Sequence, residues 1–568
     1  MRPNISINQC SSCECYEYGI VPFDTWTPES IYRVVAITLG MCLSTVALVL
    51  LLITSYLFTQ WRKNYKNQVL IQFMISRFIY TLLRYRRRRL YKLADRIPAV
   101  PADVADFQSF NFVYNLKDTI TDQIKNVSYS TQKIGGLSKI WVGPLLYVVA
   151  TNVNDVEYIL KNCLEKANIS KFLRYVIGNA GIFAPVSIWT RRRKVLITVF
   201  TPKIINSFMD ILIKQSEELA NQLYEQKAVG NGPFLAWPFV CSYTLDSVCE
   251  TALGIRINYL RNPNNAFMKA TADLMTMTTD RLFRAWLWPD WLYRFSPRST
   301  QFADALKIVY DLTDDIIRKK RKELDNVEIN LDNYETVFGQ GQKVRCFLEH
   351  LIILSKNNTG LNNVELREEV LTLLFAGSDT SSIVICNTLT LLAKYPKVQE
   401  KVYEELKEVL GDTGRSVRKD DLKEVKYLER VVRESMRLYP PAPLLVRQTT
   451  EETKLPSGVT LPADTGVIMP IWGVGRDKEA WGPDADCFNP DRFLPENKTG
   501  PFLAFSSGPR NCVGYQYAMM SVKLALIAVL RRYKVIGEQE LGPVPNINNQ
   551  FNLVMKDKDG YPLTMEVR

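Results

Sequence analysis

Histidine is almost missing from this sequence: 568 residues contain one, His350, in the run CFLEHLIIL. Zinc sites built on several histidines, two-histidine non-haem iron and histidine-ligated metal pairs are thereby excluded. A histidine-based triad would have to use His350, whose amphipathic surroundings read as an ordinary helix position. Paired cysteines are scarce as well. Of 11 cysteines, the seven from Cys163 onward are scattered without CxxC spacing, as in a reduced cytosolic domain. Cys10, Cys13 and Cys15 crowd the first residues with no evident fourth zinc ligand, beside the glycosylation sequon Asn4-Ile5-Ser6.

Acidic residues are nearly absent between Arg62 and Arg96, where 11 Lys/Arg accompany only Asp95. That stretch carries +10 of the net +12, leaving 12 − 10 = +2 for the other segments. The basic balance is local, and no nucleic-acid partner is implied. Charge of either sign is absent from Val34 to Phe58, 25 residues that at 1.5 Å per residue exceed the ~30 Å hydrocarbon core of a bilayer. Arg62, Lys63 and Lys66 follow this run, whereas residues 1–33 hold two bases against four acids. The positive-inside rule therefore predicts a lumenal tail over 1–33, a retained transmembrane anchor over 34–59 and a cytosolic remainder. No A-x-A-like cleavage site suggests a signal peptide. Segment 60–97 reads as a basic juxtamembrane stretch and hinge: VLIQFMISRFIYTLL, broken by Arg77, suits an interfacial helix, and the prolines of RIPAVPADV stiffen the join.

Residues 98–568 show neither low-complexity linker nor repeat. Helical periodicity dominates over 201–226, 301–324, 364–394, 397–410 and 423–438, and short runs such as LYVVA and GVIMPI read as strands. A mainly α body with a minor β component is expected. Near its end, AFSSGPRNCVGYQYAMM sets Cys512 among glycines and beside an arginine, just before a clean helical run. Glycines let backbone N–H groups approach the sulfur, and the helix N-terminus favours a thiolate, so this cysteine suits metal ligation. Arg510 suits bidentate pairing with a carboxylate.

Phe505-x-x-Gly508-x-Arg510-x-Cys512-x-Gly514 resembles the haem-binding loop of the cytochrome P450 superfamily. Further motifs occur in the family's order. Glu434-Ser-Met-Arg437 matches ExxR, and Arg492 in FNPDRF matches the third member of the family's Glu-Arg-Arg structural network, with Asp491 where glutamate is commoner. FAGSDTSS matches the oxygen-activation motif: Gly377 weakens the helix locally, and Thr380 is expected to bond back to the Ala376 carbonyl and open a groove. Trp189 and Arg193 match WxxxR, whose indole and guanidinium bind a haem propionate in the family, and Arg447 occupies the position of another propionate ligand.

LDSVCETALG and WPDWLYRF resemble segments of the clan 4 branch of microsomal members, which includes fatty-acid ω-hydroxylases and many insect detoxification enzymes; an insect member is expected. Several clan 4 members carry a haem-linking glutamate where this chain has Ala376, so the resemblance implies noncovalent haem b. It also implies the cytochrome P450 fold behind an N-terminal membrane helix, and iron ligated by Cys512. The implied enzyme is an endoplasmic-reticulum monooxygenase (a single-pass, microsomal oxidoreductase) that inserts one atom of O2 into a lipophilic substrate: a fatty acid, a terpenoid or hormone, or a xenobiotic. Asp379 and Thr380 would govern proton supply. No GxGxxG-bearing βαβ unit or flavin module is visible, so electrons from NADPH are expected through a cytochrome P450 reductase, with cytochrome b5 as an accessory donor. Phe375, Leu444, Leu445 and residues near Ile182 are candidates to line the substrate pocket. Two rival readings are a reductase-independent isomerase or lyase of lipid peroxides and a non-catalytic haem sensor or carrier. Retention of Asp379 and Thr380 disfavours the first, and no regulatory domain supports the second.

Overall fold

The periodic segments of the sequence become helices gathered round a single long one. The computed structural model describes residues 84–101, 116–142, 145–225, 232–258, 266–325, 345–355, 360–411, 414–497, 499–540 and 542–568, with four isolated positions between 74 and 82. The chain divides into two units, Met1–Arg88 and Arg89–Arg568, and every element below belongs to the second. The expected membrane span at 34–59 lies outside the described residues.

The principal helices are α1 Leu116–Lys133, α2 Val153–Asn162, α3 Lys171–Ile177, α4 Val186–Val199, α5 Met209–Glu225, α6 Trp237–Val248, α7 Ala266–Phe283, α8 Pro297–Asp325, α9 Phe347–Ser355, α10 Asn363–Lys394, α11 Pro396–Leu410, α12 Lys426–Leu438 and α13 Tyr515–Leu530. The strands β1 Leu137–Val142, β2 Leu145–Ala150, β7 Gly466–Pro470 and β4 Leu444–Gln448 form one sheet in the order β1-β2-β7-β4. Its β2–β7 pairing is parallel and the others antiparallel. Smaller sheets join β3 Phe234–Leu235 with β11 Pro562–Val567 and β8 Tyr533–Ile536, β5 Thr453–Lys454 with β6 Thr460–Leu461, and β9 Asn549–Asn552 with β10 Val554–Asp557. The mainly helical architecture with a minor sheet component agrees with the sequence expectation.

Helix α10 starts where the sequence provides a capping box. Asn362 Oδ1 accepts the Glu365 N–H at 2.9 Å, and Glu365 Oε2 accepts the Asn362 N–H at 3.1 Å. These two bonds satisfy orphan donors of the first turn. Among the described residues α10 is also the one helix long and apolar enough to cross a membrane, yet 61% of its most apolar window is buried, and it is a core helix. It packs against α6, α8, α12 and α13. Two expected helices are divided. The segment at 201–226 breaks at Phe208, which is fully buried against Phe347 at 4.7 Å between ring centres. The segment at 423–438 breaks at Val425, also fully buried. In both places burial of one apolar side chain, worth about 1.5–3 kcal/mol, outweighs helical continuity.

Candidate functional site

Three lengths of chain converge on the site: the loop before α13, the helix α4, and the strand β4. In the loop, the Cys512 N–H donates to Phe505 O at 2.9 Å, closing the turn that presents the sulfur. Gly508 has φ +73°, and a Cβ there would lie 2.6 Å from Leu160 O, so the position requires glycine on both conformational and steric grounds. Phe505 is wedged edge-on against Tyr515 at 4.7 Å. Gly514 caps α13, which places Cys512 two residues before the cap of a helix of 16 residues. The residue keeps solvent-exposed area although its thiol is closely surrounded. Burial pushes the free thiol up, while the Gly514 backbone and the Arg193 charge pull it down.

Next to this loop stands a group of cations that outnumber the carboxylates beside them, Glu165 and Asp464 of the adjoining cavity wall. The Arg510 guanidinium lies 4.4 Å over the Trp189 ring and donates from Nη2 to Ala184 O at 2.8 Å, leaving Nε and Nη1 without a partner. Arg447, completely buried in β4, donates from Nη1 to Val446 O, and its Nε and Nη2 have no partner. Burial, followed by mutual repulsion, holds Arg447 down to about 10; burial also lowers Arg510 to about 10, with Glu165 opposing and Arg193 adding to the fall. Lys166 is driven well below its ordinary value, first by burial and then by the charges of Arg447 and Arg510. A cavity of about 220 Å³ borders the group, lined in part by Lys166, Phe183, Arg174 and Thr449. Unpaired buried guanidinium groups are costly, so this arrangement is built for an anion. The sequence reading missed Lys166: it stands in LEKANIS with no local pattern, and only the proximity of β4 reveals it. Arg193 is placed differently from its WxxxR partner Trp189. It points to Asn511, donating to the carbonyl at 3.1 Å and to Oδ1 at 2.6 Å.

On α10, Thr380 Oγ1 donates to Ala376 O at 2.5 Å, the back-bond expected from the sequence. The helix nevertheless runs without interruption over Asn363–Lys394. Gly377 answers a packing need: a Cβ there would sit 3.1 Å from Val248 Cγ2 of α6. Burial pushes the Asp379 carboxyl up, opposed by the charge of Lys556 on β10. Of the pocket candidates, Leu444 packs with Ile120, Trp472 and Phe551, Phe375 lies half-buried on the main core, and Ile182 is exposed.

Behind the cysteine loop, Glu434 and Arg437 of α12 make a two-pronged pair with both N–O distances 2.7 Å, fully enclosed. Arg437 also donates to the carbonyls of Gly475, Ala485 and Cys487. Glu434 accepts the Asn489 N–H at 2.9 Å and has Arg492 Nε 3.6 Å away, while Arg492 grips Asp484 at 2.8 Å. Side chains from one helix thus fix the whole 475–492 segment.

Among the described residues no group of three or more His, Cys, Asp or Glu is placed to hold a bare metal ion. The orphaned nitrogens of Arg447 and Arg510 fit the acidic edge of a porphyrin. Comparison with known proteins agrees. The family model described as Cytochrome P450 matches residues 105–564. Cytochrome P450 4d2 of Drosophila melanogaster is 32% identical over 451 residues, 78% of this chain and 88% of the relative. Cytochrome P450 4c3 of the same fly is 31% identical over 87% of this chain and 94% of its own length. Human cytochrome P450 4V2 is 31% identical over 76% and 82% respectively.

Proposed function

The chain belongs to the cytochrome P450 family, and is therefore a haem-thiolate monooxygenase with noncovalent haem, using O2 and reductase-derived electrons; from that premise we propose a membrane-anchored enzyme of the endoplasmic reticulum, acting on a lipophilic substrate. The observation that carries the assignment of the site is the pair of buried guanidinium groups, Arg447 and Arg510, each with two nitrogens lacking a partner, in the neighbourhood of the exposed residue Cys512. When bound, haem supplies the binding and reductive activation of dioxygen, which a cysteine thiolate promotes by pushing electron density onto iron.

The residues of this chain do the rest. Cys512 would supply a thiolate ligand to the iron, aimed by the bond from its N–H to Phe505 O. Arg447, Arg510 and Lys166 would hold the propionates, with the Trp189 ring backing the Arg510 plane. Arg193 braces the cysteine loop through Asn511. Asp379, whose burial raises its affinity for a proton, stores one beside Thr380. The Thr380 hydroxyl hydrogen is engaged by Ala376 O, so its oxygen is left to accept a hydrogen bond; Thr380 would orient a donor at the haem, and the proton itself would come from Asp379. Ala376 offers no carboxylate for an ester link to the porphyrin. Glu434, Arg437 and Arg492 hold the segment before the loop and play no chemical part. The substrate class includes fatty acids, terpenoids or hormones and xenobiotics, reaching the pocket from the bilayer. Electrons come from NADPH–cytochrome P450 reductase, with cytochrome b5 as a second donor. The lumenal tail over 1–33, the anchor over 34–59, the hinge over 60–97 and the catalytic body over 98–568 complete the proposal.

Cys512→Ala tests it. The variant is expected to lose the reduced-carbon-monoxide absorbance band that gives the family its name, and an unchanged band refutes the ligand assignment. Spectral titration with members of each lipophilic class then ranks the substrates.

A further inference from the structure

A second buried charge cluster lies where α4 meets the first turns of α10. Arg192, only 4% exposed, is enclosed by three carboxylates of α10. Its Nη1 is 2.6 Å from Glu368 Oε2, off the line of a hydrogen bond, and 3.3 Å from Glu369 Oε1; its Nη2 is 3.5 Å from Glu365 Oε1. Arg192 Nη1 also donates to Asn179 O at 2.6 Å, and Glu369 Oε1 accepts the Gly181 N–H at 2.9 Å. The close approach depends on Gly178, φ +61°, where a Cβ would lie 2.0 Å from Glu368 Oε1. Three residues beyond Gly181, the same loop offers Ala184 O to Arg510. The loop 178–184 is therefore pinned by this cluster at one end and by a cation of the haem site at the other.

The charges do not balance. Exposed Arg191 pairs with Glu365, so two cations face three carboxylates, −3 + 2 = −1. The remaining neighbours do not correct the deficit. Arg367 is committed to Asp314 of α8 and to the Tyr310 ring, and the Tyr310 hydroxyl donates to Val176 O. A buried net charge is relieved by taking up a proton. Glu369 is the most enclosed carboxylate, 1% exposed, and burial pushes it up to about 7 against the pull of Arg192, with Glu368 adding to the rise.

We propose that Arg192 and Glu369 are positioning residues forming a proton-dependent latch: with the proton in place they hold the 178–184 loop, and through Ala184 the Arg510 side chain, against the haem propionates. Glu369 favours its protonated form in the latched state, so the latch is strongest in acid. It weakens as pH rises from the ordinary glutamate value of 4.5 to about 7 and stays level above that. If opening returns Glu369 to ordinary behaviour, the open fraction rises about tenfold between about pH 6 and about pH 8.

The test uses the full-length holoenzyme. Hydrogen-exchange protection of 178–184, corrected for intrinsic exchange, and haem transfer to apomyoglobin are measured at both pH values. The wild type should lose protection about tenfold at the higher pH and release haem correspondingly faster. Glu369→Gln, which keeps the acceptor for Gly181, should be flat. Glu368→Gln should move the step to lower pH by removing a like charge, and it serves if Glu369→Gln misfolds. A flat wild type, or a step unchanged in Glu369→Gln, overturns the latch. The haem arm rests on the propionate reading above, and Arg510→Gln separates the two. If Arg510→Gln leaves haem transfer unaltered, that reading fails and the latch stands on loop protection alone. If Arg510→Gln speeds transfer while the wild type shows the loop step without a haem step, the link through Ala184 is overturned.

Discussion

At the scale of single residues, the site combines groups whose chemistry is visible in isolation with others visible only in space. Thr380 belongs to the first kind. Its hydroxyl is fastened to Ala376 O beside a carboxyl that burial makes a better proton carrier. Thr380→Ala removes that hydrogen-bond acceptor without disturbing the fold, since the lost back-bond is one that helices do not need. Peroxide released per NADPH consumed is expected to rise several-fold, and fully coupled turnover in the variant tells against the role. Motif resemblance singled out Cys512, Arg510, Trp189 and Arg447 as candidates, and the structure sets the Arg510 guanidinium over the Trp189 ring. Lys166 was not legible, since a lone lysine has no pattern, and its meaning comes from Arg447, 281 residues further on. Gly377 was legible as an oddity but not in its cause, which is Val248 on another helix.

At the scale of elements, amphipathic periodicity located α5, α8, α10, α11 and α12 to within about a turn or two, and gave no ranges for α1–α4, α6, α7 and α9. Asn362 is the clearest case. Its side chain and that of Glu365 exchange bonds across the first turn of α10, at the head of the two turns that carry the carboxylates facing Arg192. Asn362→Ala is expected to lower unfolding free energy by about 1 kcal/mol, read as a reduced denaturant midpoint at unchanged slope. A midpoint equal to wild type would show the cap to be redundant with tertiary packing. The divisions at Phe208 and Val425 escaped sequence reading for a physical reason: local propensity favours a continuous helix, and the deciding contact, Phe208 on Phe347, spans 139 residues. The order β1-β2-β7-β4 was equally hidden, because strand adjacency is not written in any one strand.

At the scale of the whole molecule, two buried titrating groups pull stability in opposite directions. His350 is 2% exposed, and burial holds its imidazole down to about 4, so it folds neutral. Its contribution is complete above the ordinary histidine value of 6.5 and is lost as pH falls toward about 4, by no more than about 3 kcal/mol. Glu369 acts the other way, its contribution fading as pH rises from 4.5 to about 7. The two slopes partly cancel, and the wild type should show a shallow profile over that interval. His350→Gln should unmask the falling limb, with urea-derived stability decreasing from pH 5 to pH 7. A profile superimposable on the wild type would show that the histidine does not titrate as described.

The cationic cradle has a consequence for how the protein folds. Lys166, Arg447 and Arg510 are spread over 344 residues. No short stretch of chain can assemble the cradle by itself, and once the three have folded together, side chains of one sign repel one another. Haem therefore acts as a folding ligand: its capture should raise the stability of the body that holds it.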